Sequence, residues 1–389
     1  MKILQSLQHQ IYIGDGSVSL LKEFTKQYAG EQIVVIADEN TYRHCYSLLW
    51  HPTSTSKISF PFSSPKKGGS PAGERCLEIG RAIIIPSGED HKNLTTTSTV
   101  LEQLLRYQIN RNGLIINLGG GVVGDLGGFC ASIWKRGIDF IQVPTSLLAM
   151  IDASCGGKNG INLDGIKNQI GTFKQPHAVI VDPSFLKTLP QREFISGIAE
   201  MLKHAIISKD KSHFYQLSEI KTPTIENITP QIEQSITIKN EIVLQDPYEK
   251  NIRKVLNFGH TFGHAIETWS QTTNYPLLHG EAIALGMIYE IHLAHHLQLI
   301  SKATTTHYLS FIQKFFSHLG TILPTTDVLI NIILHDKKNN NRKISFVLPL
   351  ENGGFDLDVR VDLIEESFFL KKSSTFANIN FITFGEIKS

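Results

Sequence analysis

The most informative polar residues of the chain lie at helical spacing in its second half. Arg253, Asn257, His260 and His264 are separated by four, three and four positions. On a helix of ~3.6 residues per turn, these positions share a stripe of roughly 60°. The sequence therefore predicts one helix that carries all four side chains on one polar face, while its other faces are apolar. Such a stripe faces water, a partner or a binding site.

A carboxylate and a further histidine extend this pattern to a candidate metal site. Glu200 lies on a predicted helix with Lys203 three positions later, and His279 begins a third predicted helix. One carboxylate and two imidazoles from three helices are typical of catalytic zinc, which keeps one position open for a substrate oxygen. The candidate ligands are Glu200, His260 and His279, although the spacing permits His264 equally well. An ion pair on a solvated helix face would also explain Glu200 and Lys203.

A glycine-rich turn follows an apolar run in the first half of the chain. Residues 114–117 read LIIN, and residues 119–125 read GGGVVGD. Glycines at the end of a strand let the backbone approach a ligand, and a following helix N-terminus favours phosphate. We interpret the turn as a candidate pyrophosphate cradle, at the edge where open α/β sheets bind ligands. Tight packing alone would also explain these glycines.

Polar residues follow two other predicted strands. Asp38 ends an apolar run, where its carboxylate could accept hydrogen bonds from a ribose or could cap a helix. Gly88, Glu89 and Lys92 follow the next run and form a second polar loop. Several polar loops at the same ends of successive strands are hard to explain by packing alone, so they favour a ligand at this edge.

Two lysines lie further along the same half. A glycine pair precedes Lys158, and Lys167 and Asn168 follow shortly afterwards. A glycine pair before a lysine resembles a phosphate-gripping turn, although the spacing is not that of a Walker A motif. Because most lysines are solvated surface residues, these positions gain significance only from the polar loops that accompany them.

Short apolar runs separated by turns and helical stretches predict an α/β domain in the first half. The predicted strands are 33–37, 82–85, 114–117, 140–143 and 179–181, with a helix over 93–108. Continuous apolar runs of this length are typical of parallel strands buried on both faces. From about residue 190 to 334 the pattern is nearly all helical, with breaks near 222–223, 274–276 and 323–324.

The domain boundary is placed near residue 183, which predicts an α/β domain over 1–182 and a mainly helical domain over 183–389. A late apolar run at 344–348 predicts one more strand. Residues 51–74 are rich in Ser, Thr, Pro, Gly and Lys and are interpreted as a flexible surface insertion. The tail after residue 368 shows no clear periodicity.

Composition excludes several classes of function. The formal net charge of +1 gives no electrostatic reason to expect nucleic acid or a membrane as partner. The four cysteines lie far apart with no CxxC pair, which suits a reducing cytoplasm. There is no run of ~18 apolar residues, and the N-terminus lacks the apolar stretch of a signal peptide. We therefore expect a cytoplasmic protein.

In this order, the segments described above resemble the 3-dehydroquinate synthase family over roughly residues 10–350. The most specific segments are 119–128, 143–158 with 167–168, 197–204, 256–267 and 278–286. The resemblance implies a Rossmann-like NAD-binding α/β domain followed by an all-α metal-binding domain. It also implies that Glu200, His260 and His279 hold one divalent metal, zinc or cobalt, which the spacing alone leaves open.

The resemblance carries residue roles onto matching positions. The implied NAD-binding residues are Asp38, Gly88, Glu89, Lys92, Gly121, Val122, Val123, Gly124, Asp125, Thr145, Ser146, Lys158, Lys167, Phe185, Leu186, Lys187 and Thr188. The implied catalytic and substrate-binding residues are Arg136, Asp152, Lys158, Asn168, Lys203, Lys239, Glu249, Arg253, Asn257 and His264, with either Lys337 or Lys338. Arg136 would reach the site of a neighbouring subunit, which implies a homodimer.

The implied activity converts 3-deoxy-D-arabino-heptulosonate 7-phosphate to 3-dehydroquinate and phosphate, through transient oxidation by NAD, phosphate elimination, re-reduction and aldol closure. Three alternatives remain: a metal-dependent polyol dehydrogenase of the glycerol dehydrogenase type, a related sugar-phosphate cyclase, and a non-catalytic paralogue. Lys158, Lys203, Lys239 and Arg253 favour a substrate with phosphate and carboxylate groups. One departure from the family pattern is the Asn-Gly that follows Lys158.

Overall fold

The structure, a computed structural model, describes residues 1–49, 81–319, 324–336 and 343–363. The chain divides into two compact units, Met1–Leu189 and Pro190–Ser389, a few residues beyond the predicted boundary. The predicted insertion, the tail after residue 368 and both lysines at 337–338 lie outside the described residues. Within the described ranges, no helix combines the length and the apolar character that crossing a bilayer requires.

The first unit is built on a seven-stranded sheet. Its elements are β1 (Lys2–Gln5), β2 (Gln10–Ile13), α1 (Leu21–Thr25), β3 (Ile33–Asp38), α2 (Glu39–Cys45), β4 (Ala82–Ile85), α3 (Leu94–Arg106), β5 (Leu114–Gly119), α4 (Gly121–Ile133), β6 (Asp139–Pro144), β7 (Lys158–Leu163), β8 (Ile166–Phe173) and β9 (Ala178–Val181). The strand order is β1-β2-β9-β6-β5-β3-β4, parallel from β2 to β4, while β7 and β8 form a separate antiparallel hairpin.

The five predicted strands are confirmed as β3, β4, β5, β6 and β9. Every residue of β5 and β9 is buried, which explains why these strands are almost entirely apolar, with Asn117 of β5 as the exception. The strands of this unit that the sequence did not predict are β1, β2 and the β7–β8 hairpin. They are short or mostly polar, and residues along β8 are exposed or half-buried, so no apolar run marks them.

The order of the sheet defines a switch point between β3 and β5. The chain passes from β3 outward to β4 and then returns to the other side of β3 to form β5. Open α/β sheets bind ligands at the carboxyl ends of the strands on either side of such a reversal. Asp38 ends β3 and Gly119 ends β5, so both lie at this crevice.

The second unit is mainly helical. Its elements are α5 (Gln191–Ile207), α6 (Ser212–Glu219), α7 (Ile225–Gln245), α8 (His260–Ser270), α9 (His279–His296), α10 (Lys302–Phe316), α11 (Thr326–Asp336), β10 (Lys343–Pro349) and β11 (Phe355–Asp362). The predicted strand at 344–348 is confirmed as β10, which pairs with β11 in an antiparallel hairpin, so the unit is not entirely helical. Helices α8 and α9 pack closely because a Cβ on Gly286 would lie 2.0 Å from the Gly259 carbonyl oxygen.

The prediction of one helix through Arg253 and His264 is wrong. Residues Ile252–Asn257 form a short 3-10 helix, and α8 begins afresh at His260 after Gly259, which has a left-handed φ of 81°. The buried carboxylate of Glu290 on α9 causes this break, since it accepts hydrogen bonds from the Gly259 and Thr261 amides at 2.6 and 3.2 Å. A carboxylate from another helix therefore caps α8, and residue spacing within 253–264 contains no sign of it.

Candidate metal centre and cofactor cradle

Three helices bring one carboxylate and two imidazoles together in the second unit. Glu200 is fully buried on α5, while His260 and His279 are the first residues of α8 and α9. The Nε2 atoms of His260 and His279 lie 3.6 and 3.7 Å from Oε1 of Glu200. Metal–ligand bonds of about 2.0–2.2 Å in a tetrahedral site separate neighbouring ligand atoms by about 3.4 Å. The three side chains are therefore spaced as ligands of one ion.

The outer nitrogens of both histidines have acceptors that orient the rings. Nδ1 of His260 donates to the Phe258 carbonyl oxygen at 3.1 Å, and Nδ1 of His279 donates to Oε2 of Glu267 at 3.2 Å. Because a carbonyl and a carboxylate can only accept, Nδ1 of each ring carries a hydrogen. In the neutral form of each ring, the Nε2 lone pair then points toward Glu200. This arrangement is typical of metal-ligating histidines.

Glu267 is a site residue that sequence reasoning missed. It lies seven positions after His260 on α8, about two helical turns along the same face, and is almost completely buried. A carboxylate at that spacing from a candidate ligand is the signal that could have found it.

The electrostatics of the centre act in opposite directions on its two histidines. Burial, followed by the nearby positive charge of Lys203, holds the pKa of His260 well below its ordinary range. Burial would also lower the pKa of His279, but hydrogen bonds to Glu200 and Glu267 and their negative charges raise that pKa to about 9. Lys203 forms an ion pair with Glu200 in the interior. The centre thus has a carboxylate environment that attracts a proton or a metal.

His264 lies beside the three ligands. Its ring centroid is 5.2 Å from that of His260 and 5.9 Å from that of His279. Its ring nitrogens do not join the set of Glu200, His260 and His279, whose ligand atoms all lie within 4.8 Å of one another. The geometry therefore favours His264 as a neighbour of the metal centre over a role as a ligand.

Buried cations accompany this centre. Lys203, Lys239 and Arg253 are almost completely buried on α5, α7 and the 3-10 helix at 252–257, and these three elements pack against one another. Charged groups are costly to bury unless they meet partners. Partners are present here, since Lys203 pairs with Glu200 and Nη1 of Arg253 donates to the Pro247 carbonyl oxygen.

The loop before α8 is held by carboxylates. Oδ2 of Asp246 accepts from the Asn251 and Arg253 amides at 2.6 and 3.1 Å, which fixes the start of the 252–257 segment. Asn257 donates through Nδ2 to Oε1 of Glu249 at 2.6 Å. The structure therefore brings together two residues, Glu249 and Asn257, that the resemblance placed at the substrate.

In the first unit, the glycines of the 119–128 segment serve two different purposes. A Cβ on Gly127 or Gly128 would lie 2.0 or 1.9 Å from the amide oxygen of Asn117 or Asn159, so these two glycines allow close packing. A Cβ on Gly120 or Gly121 would meet its nearest atom at 3.5 Å, so packing does not require glycine there. Close packing therefore accounts for Gly127 and Gly128, while a cofactor role for Gly120 and Gly121 stays a prediction.

The start of α4 has the form of an anion cradle. Gly120 is the N-cap residue and has no side chain to accept from the first amides of the helix. The first turns of α4 contain the predicted cofactor residues Gly121, Val122, Val123, Gly124 and Asp125.

Thr145 and Ser146 follow β6 at the same edge. The Thr145 amide donates to the Gly119 carbonyl oxygen at 3.0 Å, and Oγ of Ser146 accepts from the Ala149 amide at 3.3 Å. A small cavity lies beside them, lined by residues that include Gly120, Gly121 and Ala153.

Asp38 caps a helix. Its Oδ1 atom accepts from the Asn40 and Thr41 amides at 2.9 and 2.8 Å, and Thr41 completes a capping box at the start of α2. Both bonds use Oδ1, and no described residue donates to Oδ2. The cap that the sequence offered as an alternative is therefore present, and one oxygen remains for an outside donor.

Lys92 is the centre of a buried network. Its Nζ lies 3.1 Å from carboxylate oxygens of Glu89 and Asp125, and 2.9 Å from Oδ1 of Asn168. Asn162 extends the network, since it donates to Oε1 of Glu89 at 2.9 Å and accepts from the Asn168 amide at 3.0 Å. Although burial would lower the pKa of Lys92, Asp125 and Glu89 raise it. The predicted cofactor loop is thus tied to α4 and to the β7–β8 hairpin.

The four residues at 185–188 belong to the 3-10 helix Pro183–Thr188 that follows β9. The side chains of Phe185 and Leu186 are buried in the core, whereas Lys187 is exposed and Oγ1 of Thr188 donates to the Phe185 carbonyl oxygen. Any contact of Phe185 and Leu186 with a cofactor would therefore use their backbone.

The remaining predicted residues of the first unit lie on several elements. Lys158 is exposed at the start of β7, Lys167 and Asn168 lie on β8, and Asp152 lies in the helical turn Ala149–Ala153. Arg136 is exposed in the turn before β6, with a left-handed φ of 70°. These positions stay predictions.

The sequence matches two family models, "3-dehydroquinate synthase N-terminal" over residues 82–196 and "3-dehydroquinate synthase C-terminal" over residues 197–339. A 3-dehydroquinate synthase of Sulfurovum sp. is 42% identical over 290 residues, covering 75% of this chain and 82% of the relative. One from Parabacteroides distasonis is 34% identical over 345 residues, covering 88% and 90%. A solved 2-deoxy-scyllo-inosose synthase, complexed with carbaglucose-6-phosphate, NAD+ and Co2+, is similar in fold, with a TM-score of 0.78, 22% identity and coverage of 95% and 99%.

Proposed function

Because this chain belongs to the 3-dehydroquinate synthase family, we propose that it converts 3-deoxy-D-arabino-heptulosonate 7-phosphate to 3-dehydroquinate and phosphate. One observation carries the proposal. Glu200, His260 and His279 converge at metal-ligand spacing in a unit that also buries several cations. An acidic sugar phosphate needs both features, a metal for its hydroxyl groups and cations for its negative charges.

Glu200, His260 and His279 would hold one divalent ion, with zinc and cobalt as the candidates. When bound, the metal would polarise a substrate hydroxyl and favour its deprotonation. The side chains present fit such an ion, because both Nε2 atoms face Oε1 of Glu200 and Glu267 orients His279. Lys203, paired with Glu200, would keep the buried carboxylate ionised and oriented.

The carboxyl edge of the sheet in the first unit would hold NAD. When bound, NAD+ would accept a hydride from the substrate and later return it, so the reaction has no net redox change. The amides at the start of α4 would bind the pyrophosphate, since Gly120 contributes no side chain there. Oδ2 of Asp38 would accept a hydrogen bond from a ribose hydroxyl while Oδ1 continues to cap α2.

Residues of the second unit would grip the two ends of the substrate. We assign the substrate carboxylate to the buried cations Lys239 and Arg253, and the phosphate to Asn257 and His264. Glu249, which Asn257 contacts, would lie near the reacting carbons. Charge-assisted hydrogen bonds at both ends select one conformer, and such positioning can supply several kcal/mol of the barrier, up to roughly 7–11.

The active enzyme would be a homodimer in which Arg136 serves the neighbouring subunit. Arg136 precedes the amino end of β6, a strand of six residues. At about 3.3 Å per residue, Arg136 lies about 20 Å from the carboxyl edge of the sheet. An arginine cannot bridge that distance to the cradle of its own unit. Exposed apolar side chains on the neighbouring hairpin, among them Leu163, Ile166 and Phe173, offer a surface for a second copy.

The dimer can be tested by substitution at the hairpin. Phe173→Glu should convert a dimer into monomers in light scattering with size-exclusion chromatography. Tyr215→Glu, at an exposed aromatic residue of the second unit, should leave the mass unchanged. A parent chain that is monomeric at assay concentration would contradict the role of Arg136.

The principal rival is a polyol dehydrogenase of the glycerol dehydrogenase type. Its alcohol substrate has neither phosphate nor carboxylate, so it gives no reason for the site to contain the buried cations Lys239 and Arg253. A second alternative, a related cyclase, would act on another sugar phosphate. A third, a non-catalytic paralogue, should have lost a metal-ligand residue, whereas all three such residues are present here. The same proposal includes a cytoplasmic location, because widely spaced cysteines without a CxxC pair suit a reducing compartment.

His260→Ala tests the assignment of the metal centre. The variant should lose bound metal and essentially all release of phosphate from the heptulosonate phosphate, while NAD+ binding persists. His307→Ala is a matched control, because His307 stacks against Phe214 and takes no part in the ligand set. Full turnover by a His260→Ala protein that holds no metal would rule out the assignment, and NADH accumulation with glycerol would favour the dehydrogenase.

A further inference from the structure

An ion pair outside the ligand set joins two of the helices that carry ligands. Arg192, at the start of α5, binds Glu281 on α9 through two parallel hydrogen bonds, from Nε to Oε1 at 2.8 Å and from Nη2 to Oε2 at 2.7 Å. The side chain of Glu281 is only 3% exposed, whereas that of Arg192 is 54% exposed. A buried carboxylate held in bidentate geometry orients its helix more firmly than a surface ion pair does.

The same two side chains also hold the segment that leads to His279. Oε2 of Glu281 accepts from the Leu278 amide at 2.8 Å, so Glu281 caps the helix that His279 begins. Nη2 of Arg192 donates to the Pro276 carbonyl oxygen at 2.8 Å. One guanidinium therefore fixes both the first turn of α9 and the approach to it.

Backbone contact between α5 and α9 lies beside this pair. The Gly280 amide donates to Oγ of Ser196 at 3.1 Å, and a Cβ on Gly280 would lie 1.8 Å from the Ser196 carbonyl oxygen. Gly280 follows the ligand His279, and Ser196 lies one helical turn before the ligand Glu200. The separation of the two ligands is thus set where these helices touch.

We propose that Arg192 and Glu281 form a positioning clamp that sets His279 against Glu200 and thereby determines the affinity of the metal centre. The proposal rests on the metal centre described above. Neither residue touches the metal position, so both act through the helix that they hold. Because metal–ligand distances tolerate deviations of only about 0.2 Å, a small displacement of α9 is enough to weaken binding.

Zinc affinity of the metal-depleted full-length chain tests the clamp. Arg192→Ala removes all three guanidinium bonds, and Arg192→Lys keeps the charge but loses the bidentate geometry. We expect Arg192→Ala to weaken zinc binding about tenfold or more, as loss of outer contacts to metal ligands does, and Arg192→Lys to weaken it less. The measurement is competition with a chromogenic chelator, and NAD+ affinity should stay within about twofold of the parent.

Arg360→Ala is the matched control, because Arg360 pairs with Asp358 in an exposed arginine–carboxylate pair on β11. It should leave zinc affinity unchanged. If a folded Arg192→Ala chain binds zinc as the parent does, the pair is merely structural and the proposal is wrong. Should Arg192→Ala not fold, parent-like zinc affinity in Arg192→Lys overturns the clamp equally. If His260→Ala binds zinc as tightly as the parent chain does, the metal centre itself is wrongly assigned, and the clamp is overturned with it.

Discussion

Gly280→Ala is the substitution with the most direct structural consequence. The added Cβ would lie 1.8 Å from the Ser196 carbonyl oxygen and 2.6 Å from its carbonyl carbon, both of them backbone atoms that no rotamer can move. Restoring a contact of 3.0 Å, the lower limit for a Cβ atom, requires α5 and α9 to separate by about 1 Å. His279 moves with α9, and Glu200 stays on α5.

The magnitude follows from this displacement. Overpacking of a tight contact costs about 1–3 kcal/mol. At roughly 2–4 °C per kcal/mol, the thermal midpoint should fall by about 2–12 °C. His279 Nε2 is already 3.7 Å from Glu200 Oε1, so a further ångström exceeds the distance that one ion can span. Zinc affinity should therefore fall at least about tenfold.

Thermal unfolding of the metal-free chain and zinc competition are the two assays. Gly30→Ala is the matched control, because a Cβ at Gly30 meets no atom within 4 Å and its φ is not in the left-handed range. That exchange should be neutral or stabilising by up to about 1 kcal/mol. The reasoning would be refuted if Gly280→Ala had the same melting temperature as Gly30→Ala and the same zinc affinity as the parent.

Three further changes have defined outcomes. Glu267→Gln replaces the carboxylate that orients His279 with a neutral amide. Zinc affinity should therefore fall about tenfold while NAD+ binding is unchanged. Zinc affinity equal to that of the parent in the competition assay would contradict the role of Glu267. Asp38→Asn keeps a good N-cap residue, so the melting temperature should equal that of the parent. NADH binding, measured by fluorescence, should weaken about tenfold. NADH affinity equal to that of the parent would exclude Asp38 from the cofactor site. Burial, followed by the nearby charge of His204, lowers the pKa of His213 to about 4 from a model-peptide value of 6.5. The folded chain then binds this proton less readily than the unfolded chain, so stability is complete above pH 6.5 and is lost as the pH falls toward about 4. His213→Gln should show a smaller drop in melting temperature between about pH 7.5 and about pH 5 than the parent, and an identical drop would exclude His213 as a source.

The sequence predicted the parallel sheet well because its central strands are buried on both faces. Strand β5 contains only buried residues, and such a strand is expected to be mainly apolar, as β5 is apart from Asn117. The β7–β8 hairpin escaped notice because exposed and half-buried residues alternate along β8, so no apolar run marks it. Burial pattern, more than strand propensity, decided which strands could be recognised.

The candidate site was predictable in its residue types and less so in its local structure. His260 was singled out by its spacing and His279 by its place at the start of a predicted helix. The helix proposed through Arg253 nevertheless ends before Gly259, because Glu290 of another helix caps α8. Choosing His279 over His264 required the resemblance, since both fit the spacing. A contact between helices distant in sequence cannot be read from the periodicity of one of them.

Lys92 illustrates the same limit of prediction from sequence in the first unit. Its position after a strand suggested a cofactor contact, and the structure places its Nζ among Glu89, Asp125 and Asn168. These partners lie on three different elements, so no local pattern announces the network. Gly127 and Gly128 likewise allow close packing against Asn117 and Asn159, and these contacts are visible only in the three-dimensional structure.

The central claim is an internal redox cycle at a metal centre that releases phosphate. The most direct test incubates the purified chain with 3-deoxy-D-arabino-heptulosonate 7-phosphate, catalytic NAD+ and zinc, and follows inorganic phosphate together with NADH absorbance. The account predicts one phosphate released per substrate molecule, no accumulation of NADH, and loss of activity with a chelator that added zinc reverses. Phosphate release that persists in the metal-free chain, or NADH formed in step with turnover, would contradict it.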